Sequence, residues 1–486
     1  MCSSDLTCAM MGVCLQVSPL RIAFVFMWLI NKFKEYLPYY KRNLKVAVPV
    51  MFTQIGGALV GLFDTMMVGH YATVDLAAVS FSNAIFFTIM VFAGGALMGI
   101  TPLIGLQEGE LSMHPERGAS IRTKIASLLQ NGLYFTLLIS LVTTALLALC
   151  IPFLDRFGQD PEVIEVARPY YILIVISLFP YLLFCLQKQF LEGLGNTVVA
   201  MVIVLTMNAL NVLLNWVFIY GHWGAPAMGA VGAGIATLVS RIGMPVCLFV
   251  AIMLHRNWRG YIRLFSRRLS SWREVSRIAR IGFPIGGQTF FETVTFTLAV
   301  VAIGWISKEA VAAHQIASQI SNLTFMLAVG IGAGTTIRVS HQLGKGDLPA
   351  VRMASTASIH LVILMNTIGA ALMIGLRHYI PYLFTEDREV IAIASQLLIF
   401  AGLYQYSDGL QAVGAAMLRG ITDVKVPMVI AFVSYIIVGL AVGYVCAFPL
   451  GMGAAGIWIG FIVGLTFAAV LFHTRFNRLY RRMRHS

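Results

Sequence analysis

The chain has 486 residues, of which 58% are hydrophobic and only 11% are charged, and its mean hydropathy is +0.82. A soluble domain has about 25% charged residues, so this composition excludes an ordinary soluble protein and predicts one that crosses a membrane many times. The net charge of +13 is concentrated in loops between apolar stretches. Lys and Arg in such loops set membrane orientation, so the charge does not indicate a nucleic-acid partner. The seven cysteines form no CxxC or Cys/His metal spacing, which leaves redox and soft-metal chemistry without support.

Residues 1–45 precede the first long apolar stretch, and we predict that they form a cytoplasmic extension without regular structure. An apolar run at 20–30 is too short to cross a bilayer, which requires about 20 residues. No small-residue cleavage motif follows this run, so a secretory signal peptide is not indicated. Five basic residues lead into the first span: Lys32, Lys34, Lys41, Arg42 and Lys45.

The first span, at 46–69, contains one full charge, Asp64, and one proline, Pro49. A charged side chain in mid-membrane costs at least about 2.5 kcal/mol, so it usually faces a partner or a water-filled cavity. A proline inside a helix removes one backbone hydrogen bond and can bend the helix. Two interpretations remain open: a structural acid that pairs with a neighbour, or an ion or proton site on a helix with a hinge at Pro49.

Eleven more apolar stretches of spanning length follow, which predicts an all-α polytopic membrane protein with twelve helices. The predicted spans are 46–69, 78–105, 124–150, 169–190, 198–220, 229–254, 281–305, 312–338, 356–376, 392–417, 426–447 and 452–473. The segment 255–280 holds eight arginines and one glutamate, and the tail after Phe472 holds five arginines and no acid. Because Lys and Arg accumulate on the cytoplasmic side, we expect this segment and both termini to be cytoplasmic.

The chain repeats itself after six spans. A shift of 235 residues aligns Pro49 with Pro284 and Gly95 with Gly330, and a shift of 227 aligns later residues such as Asp160 with Asp387. Six spans per half give both halves the same orientation, so the repeat is parallel, as in many secondary transporters. We predict four units after the N-terminal extension: an N-lobe at 46–254, a cytoplasmic basic linker at 255–280, a C-lobe at 281–473 and a cytoplasmic basic tail at 474–486.

Three acids within spans, Asp64, Glu292 and Asp408, each occur in only one half of the repeat. A structural acid would be expected twice, because the same packing would need it in both halves, so the asymmetry favours a functional role. Polar residues lie one turn from the two C-lobe acids: Gln288, Thr295, Tyr404 and Gln411. Oxygen ligands around a carboxylate suit a hard cation such as Na⁺, whereas acids shielded from water could instead bind protons reversibly.

The N-lobe contains its own group of polar residues within spans. Asn208, Asn211 and Asn215 share one face of the fifth span, and Thr237 lies midway along the sixth. Ion ligation and hydrogen bonding between helices, worth about 1 kcal/mol or less per bond, are equally supported for the asparagines. Arg241 lies in the middle of the sixth span, and we expect it to pair with an acid.

Several motifs of enzymes and pumps are missing from the sequence. No P-loop occurs, so ATP is not indicated as the energy source. Neither HExxH nor GxSxG occurs, which argues against a hydrolase. We therefore expect a transporter that is not an enzyme and binds no cofactor, with Na⁺ as a candidate coupling ion.

Four segments together resemble the multidrug and toxic compound extrusion (MATE) family, in particular its bacterial NorM-like branch. They are FDTMMVGH in the first span, GFPIGGQTFFE in the seventh, AAHQIA in the eighth and YQYSDGLQAVGAAMLRGITD in the tenth. The resemblance extends from about Lys45 to Phe472. It implies two six-helix lobes arranged as a V, in a monomer of the bacterial inner membrane. It also implies export of small organic cations in exchange for Na⁺ or H⁺, an activity associated with antibiotic resistance.

The resemblance further implies roles for residues at matching positions. In the N-lobe these are an acid on the first helix and polar residues near it: Asp64, Asn211, Asn215 and Thr237. In the C-lobe they form a cation-linked cluster that would hold Na⁺: Glu292, Tyr404 and Asp408. Pro49 matches the proline at which the first helix bends. Where some relatives have an aspartate on the fifth helix, this chain has asparagines, which weakens the case for Na⁺ in the N-lobe.

Two other functions remain as alternatives for a twelve-span chain. A lipid-linked glycan flippase of the same superfamily would be expected to line its cavity with Arg or Lys, whereas most mid-membrane charges here are acidic. A membrane-embedded transferase would need a cluster of His or Asp at a membrane face, and the sequence offers none. The leading prediction is a cation-coupled antiporter of amphipathic organic cations that works by alternating access.

Overall fold

The computed structural model describes residues 19–485, with side chains from residue 34 onward. Within this range twelve helices are long and apolar enough to cross a membrane, which confirms the predicted number of spans. In chain order, spans 1 to 12 are Lys34–Tyr71, Thr73–Met113, Pro115–Phe157, Pro161–Gly193, Val198–Tyr220, Gly229–Leu254, Trp272–Gly304, Lys308–Gly344, Leu348–Gly375, Arg388–Gly420, Lys425–Ala447 and Ala454–His485. Several of these helices extend well beyond the predicted apolar stretches.

The helix of span 1 begins earlier than the sequence suggested, already at Pro19. The prediction that residues up to 45 lack regular structure is therefore wrong for 19–45. The helix is held by span 9: the Asn43 side chain donates to the Ala354 carbonyl and to the Ser358 hydroxyl, both at 2.9 Å. Residues 1–18, with their three cysteines, lie outside the described residues.

The buried apolar side chains form two separate cores. One core extends along the chain from Val68 to Ile278, and the other from Ala299 to Phe476. Because lipid tails are as apolar as leucine, these cores depend on close packing between helices rather than on the exclusion of water. The first core belongs to the first half of the repeat except for the start of span 7, and the second core belongs to the second half.

The two halves meet along a seam of glycines, which we define as the contacts of span 2 with span 7 and of span 8 with span 1. A Cβ atom at Gly99 would lie 3.2 Å from the backbone nitrogen of Gly282, and one at Gly334 would lie 3.2 Å from the backbone nitrogen of Ala47. The 235-residue shift aligns Gly99 with Gly334 and Ala47 with Gly282, so the two contacts are equivalent in the repeat. The internal repeat is thus present in the three-dimensional contacts, and larger side chains at these positions would hold the halves apart.

The basic linker is docked on span 3. It contains a short helix, Arg256–Arg263, and its backbone then bonds to two side chains of span 3. The Gln130 amide donates to the Ser266 carbonyl at 3.0 Å, and the Asn131 amide donates to the Leu269 carbonyl at 2.8 Å. The linker therefore bridges the halves as an ordered element at the same end of the molecule as the C-terminal parts of spans 2 and 8.

Candidate functional site

The two acids of the C-lobe are connected by one amide. The Gln411 side-chain nitrogen lies 3.1 Å from Glu292 Oε1 and 3.3 Å from Asp408 Oδ1, and it donates to both. Gln411 and Asp408 are each only 2% exposed. Spans 7 and 10 thus bring together two of the acids that the sequence singled out, and the Gln411 amide lies between them.

Two tyrosines complete this cluster. Tyr404 lies one turn before Asp408 on span 10, and its ring contacts Trp458 and Phe461 edge to face. The Tyr435 hydroxyl donates to Gln411 Oε1 at 2.6 Å and so fixes the orientation of the bridging amide.

Tyr435 lies in a π-helical segment of span 11, Phe432–Gly439. Such segments are rare and often occur at functional sites. A π-helical turn shifts the residues that follow it relative to the usual 3.6-residue period, so periodicity in the sequence does not show which face Tyr435 occupies. The sequence pattern did not indicate Tyr435 as a site residue for that reason.

A small cavity adjoins the cluster. It is lined by Glu292, Tyr435, Thr295, Phe296 and residues of spans 11 and 12. The space open to the centre of a water-sized sphere is about 10 Å³, which is roughly what one water molecule requires. The cavity can therefore accommodate a water molecule or a bare cation, but not a drug-sized molecule.

The donor set of the cluster consists of oxygens: two carboxylates, one amide and two phenols. Oxygen ligands are those that hard cations prefer, whereas transition metals favour His and Cys. No group of three or more His, Cys, Asp or Glu able to hold a metal ion occurs in the part of the chain that the structure describes. For a cation to bind between the acids, the Gln411 amide would have to present its oxygen instead of its nitrogen, and this rotation would also change its bond with Tyr435.

In the N-lobe, Asp64 is paired with span 5. Asp64 Oδ1 accepts a short hydrogen bond from the Asn215 side chain, whose nitrogen also lies 3.2 Å from Asn211 Oδ1. Asn211 and Asn215 are both buried. Thr237 lies on span 6 and forms no hydrogen bond with Asp64, so within the described residues the structure brings together three of the four predicted N-lobe residues. Asn208, one turn before Asn211, leaves its amide nitrogen buried without an acceptor.

Arg241 does not pair with an acid as the sequence suggested. Its guanidinium donates to the Ser177 hydroxyl at 2.7 Å and lies over the rings of Phe86 and Tyr181, at 5.0 and 5.5 Å from the ring centroids. No ion pair within 4.0 Å involves it among the described residues. The negative faces of the rings supply the attraction that an acid would otherwise supply. Tyr181 is also the residue that the repeat aligns with Asp408.

Pro49 is buried inside the continuous helix of span 1. Its carbonyl accepts a hydrogen bond from the Thr53 hydroxyl at 3.0 Å. Thr53 is thus positioned to satisfy a backbone group in the region where the proline interrupts the helical bonding.

Comparison with known proteins places this arrangement in a family. The MatE family model matches residues 49–217 and 284–445, one segment in each half of the repeat. The chain belongs to the MATE family. It is 32% identical to the probable multidrug resistance protein NorM of Rhizobium meliloti, over 92% of this chain and 94% of that protein. It is 34% identical to the multidrug resistance protein NorM of Vibrio cholerae serotype O1, over 90% of this chain and 95% of that protein. The resemblance to the NorM-like branch is thereby confirmed.

Solved structures support the MATE fold. An outward-facing multidrug resistance MATE family transporter superposes with a TM-score of 0.82 at 20% identity, covering 92% of this chain and 97% of that chain. A eukaryotic MATE transporter superposes with a TM-score of 0.81 at 19% identity, covering 93% of this chain and 99% of that chain. At such identities the likeness concerns the fold alone, and it agrees with the predicted twelve-helix architecture.

Proposed function

We propose that this MATE protein is a multidrug efflux transporter that exports amphipathic organic cations in exchange for Na⁺ or H⁺ by alternating access. The observation that carries the proposal is the pair of buried carboxylates, Glu292 and Asp408, joined by the amide of Gln411. Two acids enclosed in a helical lobe are costly unless they bind something positive. The relatives with the NorM name are described as multidrug resistance proteins, and the proposed activity is transport rather than chemical conversion.

Exchange requires that the driving ion and the exported cation weaken each other's binding, with a coupling free energy of about 1–3 kcal/mol. The cluster meets this requirement if an ion between the acids rotates the Gln411 amide and thereby changes how spans 10 and 11 pack. Glu292, Asp408 and Tyr404 would hold a sodium ion, which would supply the free energy of its gradient. The oxygen-only donor set fits such an ion.

The test is counterflow of a fluorescent organic cation in proteoliposomes, with Na⁺ and pH gradients imposed separately. Acceleration of efflux by an inward gradient of either ion would support the proposal and identify the coupling ion. Efflux that responds to neither gradient, yet is carried out by active protein, would reject ion coupling. Transport of a lipid-linked anionic glycan in place of organic cations would favour the flippase alternative.

We further propose that the protein lies in the bacterial inner membrane as a monomer with both termini cytoplasmic. The arginine excess of the linker and the tail supports this orientation. Reporter fusions after Ser271 and after Ser486, the latter outside the described residues, should both give a cytoplasmic signal. A periplasmic signal from either fusion would contradict the orientation.

The hinge proposal makes span 1 a moving part. Pro49→Ala would restore the missing backbone bond and favour one straight form of the helix, so export should fall by about tenfold. The protein should remain folded, because alanine fits the space that proline occupies. Transport rates and thermal stability of the purified variant would be compared with those of Pro284→Ala, the equivalent change in the other half. Wild-type export by Pro49→Ala would remove the hinge from the mechanism.

A further inference from the structure

One guanidinium at the seam has two nitrogen atoms without a hydrogen-bond partner among the described residues. Arg338 lies near the C-terminal end of span 8, and its Nε and Nη2 atoms are buried without a hydrogen-bond acceptor. An unpartnered buried donor costs about 1–3 kcal/mol, and more if it is charged. Such groups are usually satisfied by a water molecule or an ion. Although Nε and Nη2 are buried, Arg338 as a whole is partly exposed and therefore lies at the edge of the protein.

The charged surroundings of Arg338 narrow the choice of ligand. Span 8 packs against span 1 with Gly330 at Met51 and Gly334 at Ala47, so Arg338, one turn further along, lies opposite Asn43 and close to a second cation, Arg42. Within residues 34–485 no acid lies within 4.0 Å of either guanidinium. Two guanidinium groups facing the same region repel each other unless an anion lies between them. Water would leave this repulsion in place.

Three acids near this end of the molecule are engaged elsewhere. Asp347 caps the helix of span 9 by accepting from the Ala350 backbone at 3.0 Å. Asp423 pairs with Arg475 at 2.8 Å, and Glu192 pairs with Lys188 at 3.7 Å. None of these three carboxylates is therefore free to neutralise Arg338.

The position of the two arginines indicates which anion this is. Arg338 is six residues before the end of its helix at Gly344, so it lies roughly 9 Å along the axis from that end. Arg42 is exposed and is one of the basic residues that precede the apolar part of span 1. These depths correspond to the headgroup region of the leaflet on the linker side. Basic pockets between helices at that level bind anionic headgroups, and guanidinium groups bind phosphate in a bidentate manner.

We propose that Arg42 and Arg338 form a binding site for the phosphate of an anionic phospholipid, such as phosphatidylglycerol, at the seam between the two lobes. Arg42 belongs to the first half of the repeat and Arg338 to the second, so a phosphate bound by both connects the two halves. The site adjoins the contact of His341 Nε2 with the Gly193 carbonyl, which joins the same two halves at 2.7 Å. Anionic lipid therefore stabilises the arrangement in which the halves meet at the linker end.

The experiment uses the full-length protein in an uncharged detergent, titrated with phosphatidylglycerol or with phosphatidylcholine of the same chain length. Bound lipid is measured by native mass spectrometry, and Tm is followed in parallel. The wild type should prefer phosphatidylglycerol, and Arg338→Gln and Arg42→Gln should each weaken its apparent affinity by about tenfold without affecting phosphatidylcholine. Arg338→Lys keeps the charge but loses the planar fork, so it should give an intermediate affinity.

A matched control separates a specific site from surface charge in general. Arg267→Gln removes the same charge from an exposed position in the linker and should leave the lipid preference unchanged. An equal loss in Arg267→Gln, or no loss in Arg42→Gln and Arg338→Lys, would overturn the proposal. Displacement of the lipid by millimolar inorganic phosphate, with the same rise in Tm, would assign the site to a free anion and overturn the lipid assignment. None of these readouts depends on transport, so the result stands apart from the proposed function.

Discussion

Glu292→Gln and Asp408→Asn should each abolish ion-driven efflux while leaving the protein folded. Either change removes one of the two charges that the Gln411 amide connects, and with it the attraction for a driving cation. The new amides are nearly isosteric with the carboxylates, so packing is retained. We expect the ion-driven rate to fall by about 100-fold, which corresponds to the loss of a coupling free energy near the upper end of its usual range. The measurement is efflux from proteoliposomes under each ion gradient.

Glu389→Gln provides the control for this prediction. Glu389 is an exposed acid in the first turn of span 10, so its replacement makes the same change in charge on the same helix. It should transport as the wild type does. Normal ion-driven export by both C-lobe variants would show that the coupling ion binds elsewhere.

Tyr435→Phe refines the same prediction without changing any charge. It removes the hydroxyl that holds Gln411 Oε1 at 2.6 Å, so the amide loses its fixed orientation. We expect a weaker apparent affinity for the driving ion, by about fivefold, with the maximal rate largely kept. Equal ion affinities in the wild type and in Tyr435→Phe would show that the amide needs no such support.

Asp64→Asn should also impair export, but its defect should appear chiefly in the pH dependence. Asp64 has a single hydrogen-bond partner in span 5, Asn215, and no second acid close to it in the N-lobe cluster. An isolated acid of this kind suits protonation better than ion binding, because protonation alone can neutralise it. The variant carries a permanently neutral side chain, so its transport rate should change little with pH while that of the wild type varies.

The pH profile of counterflow tests this second prediction, with Asp155→Asn as the control. Asp155 forms an exposed ion pair with Arg168, and such pairs contribute little to stability. The control should keep the wild-type profile. A wild-type profile in Asp64→Asn would mean that the pH-dependent step does not involve Asp64.

The twelve spans and the repeat could be predicted from the sequence alone. An apolar stretch of about 20 residues in a bilayer has to satisfy its own backbone hydrogen bonds, and a helix does so locally. The acids Asp64, Glu292 and Asp408 could also be recognised as candidate functional residues from the sequence, because a charge in mid-membrane is costly and usually has a role. The proximity of Asn211 and Asn215 to Asp64 was implied by the resemblance to the MATE family, and the structure shows it as a hydrogen bond.

Which polar groups contact each other could be seen only in the tertiary structure. The bridge from Glu292 through Gln411 to Asp408 joins spans 7 and 10, and Tyr435 contacts it from a π-helical segment of span 11. Arg241 contacts aromatic rings where an acid was expected, and the helix of span 1 extends to Pro19. In a membrane protein both lipid-facing and buried faces are apolar, so hydropathy does not show which face of a helix contacts which neighbour. That choice depends on the close packing of helices far apart in the chain, which local sequence patterns do not encode.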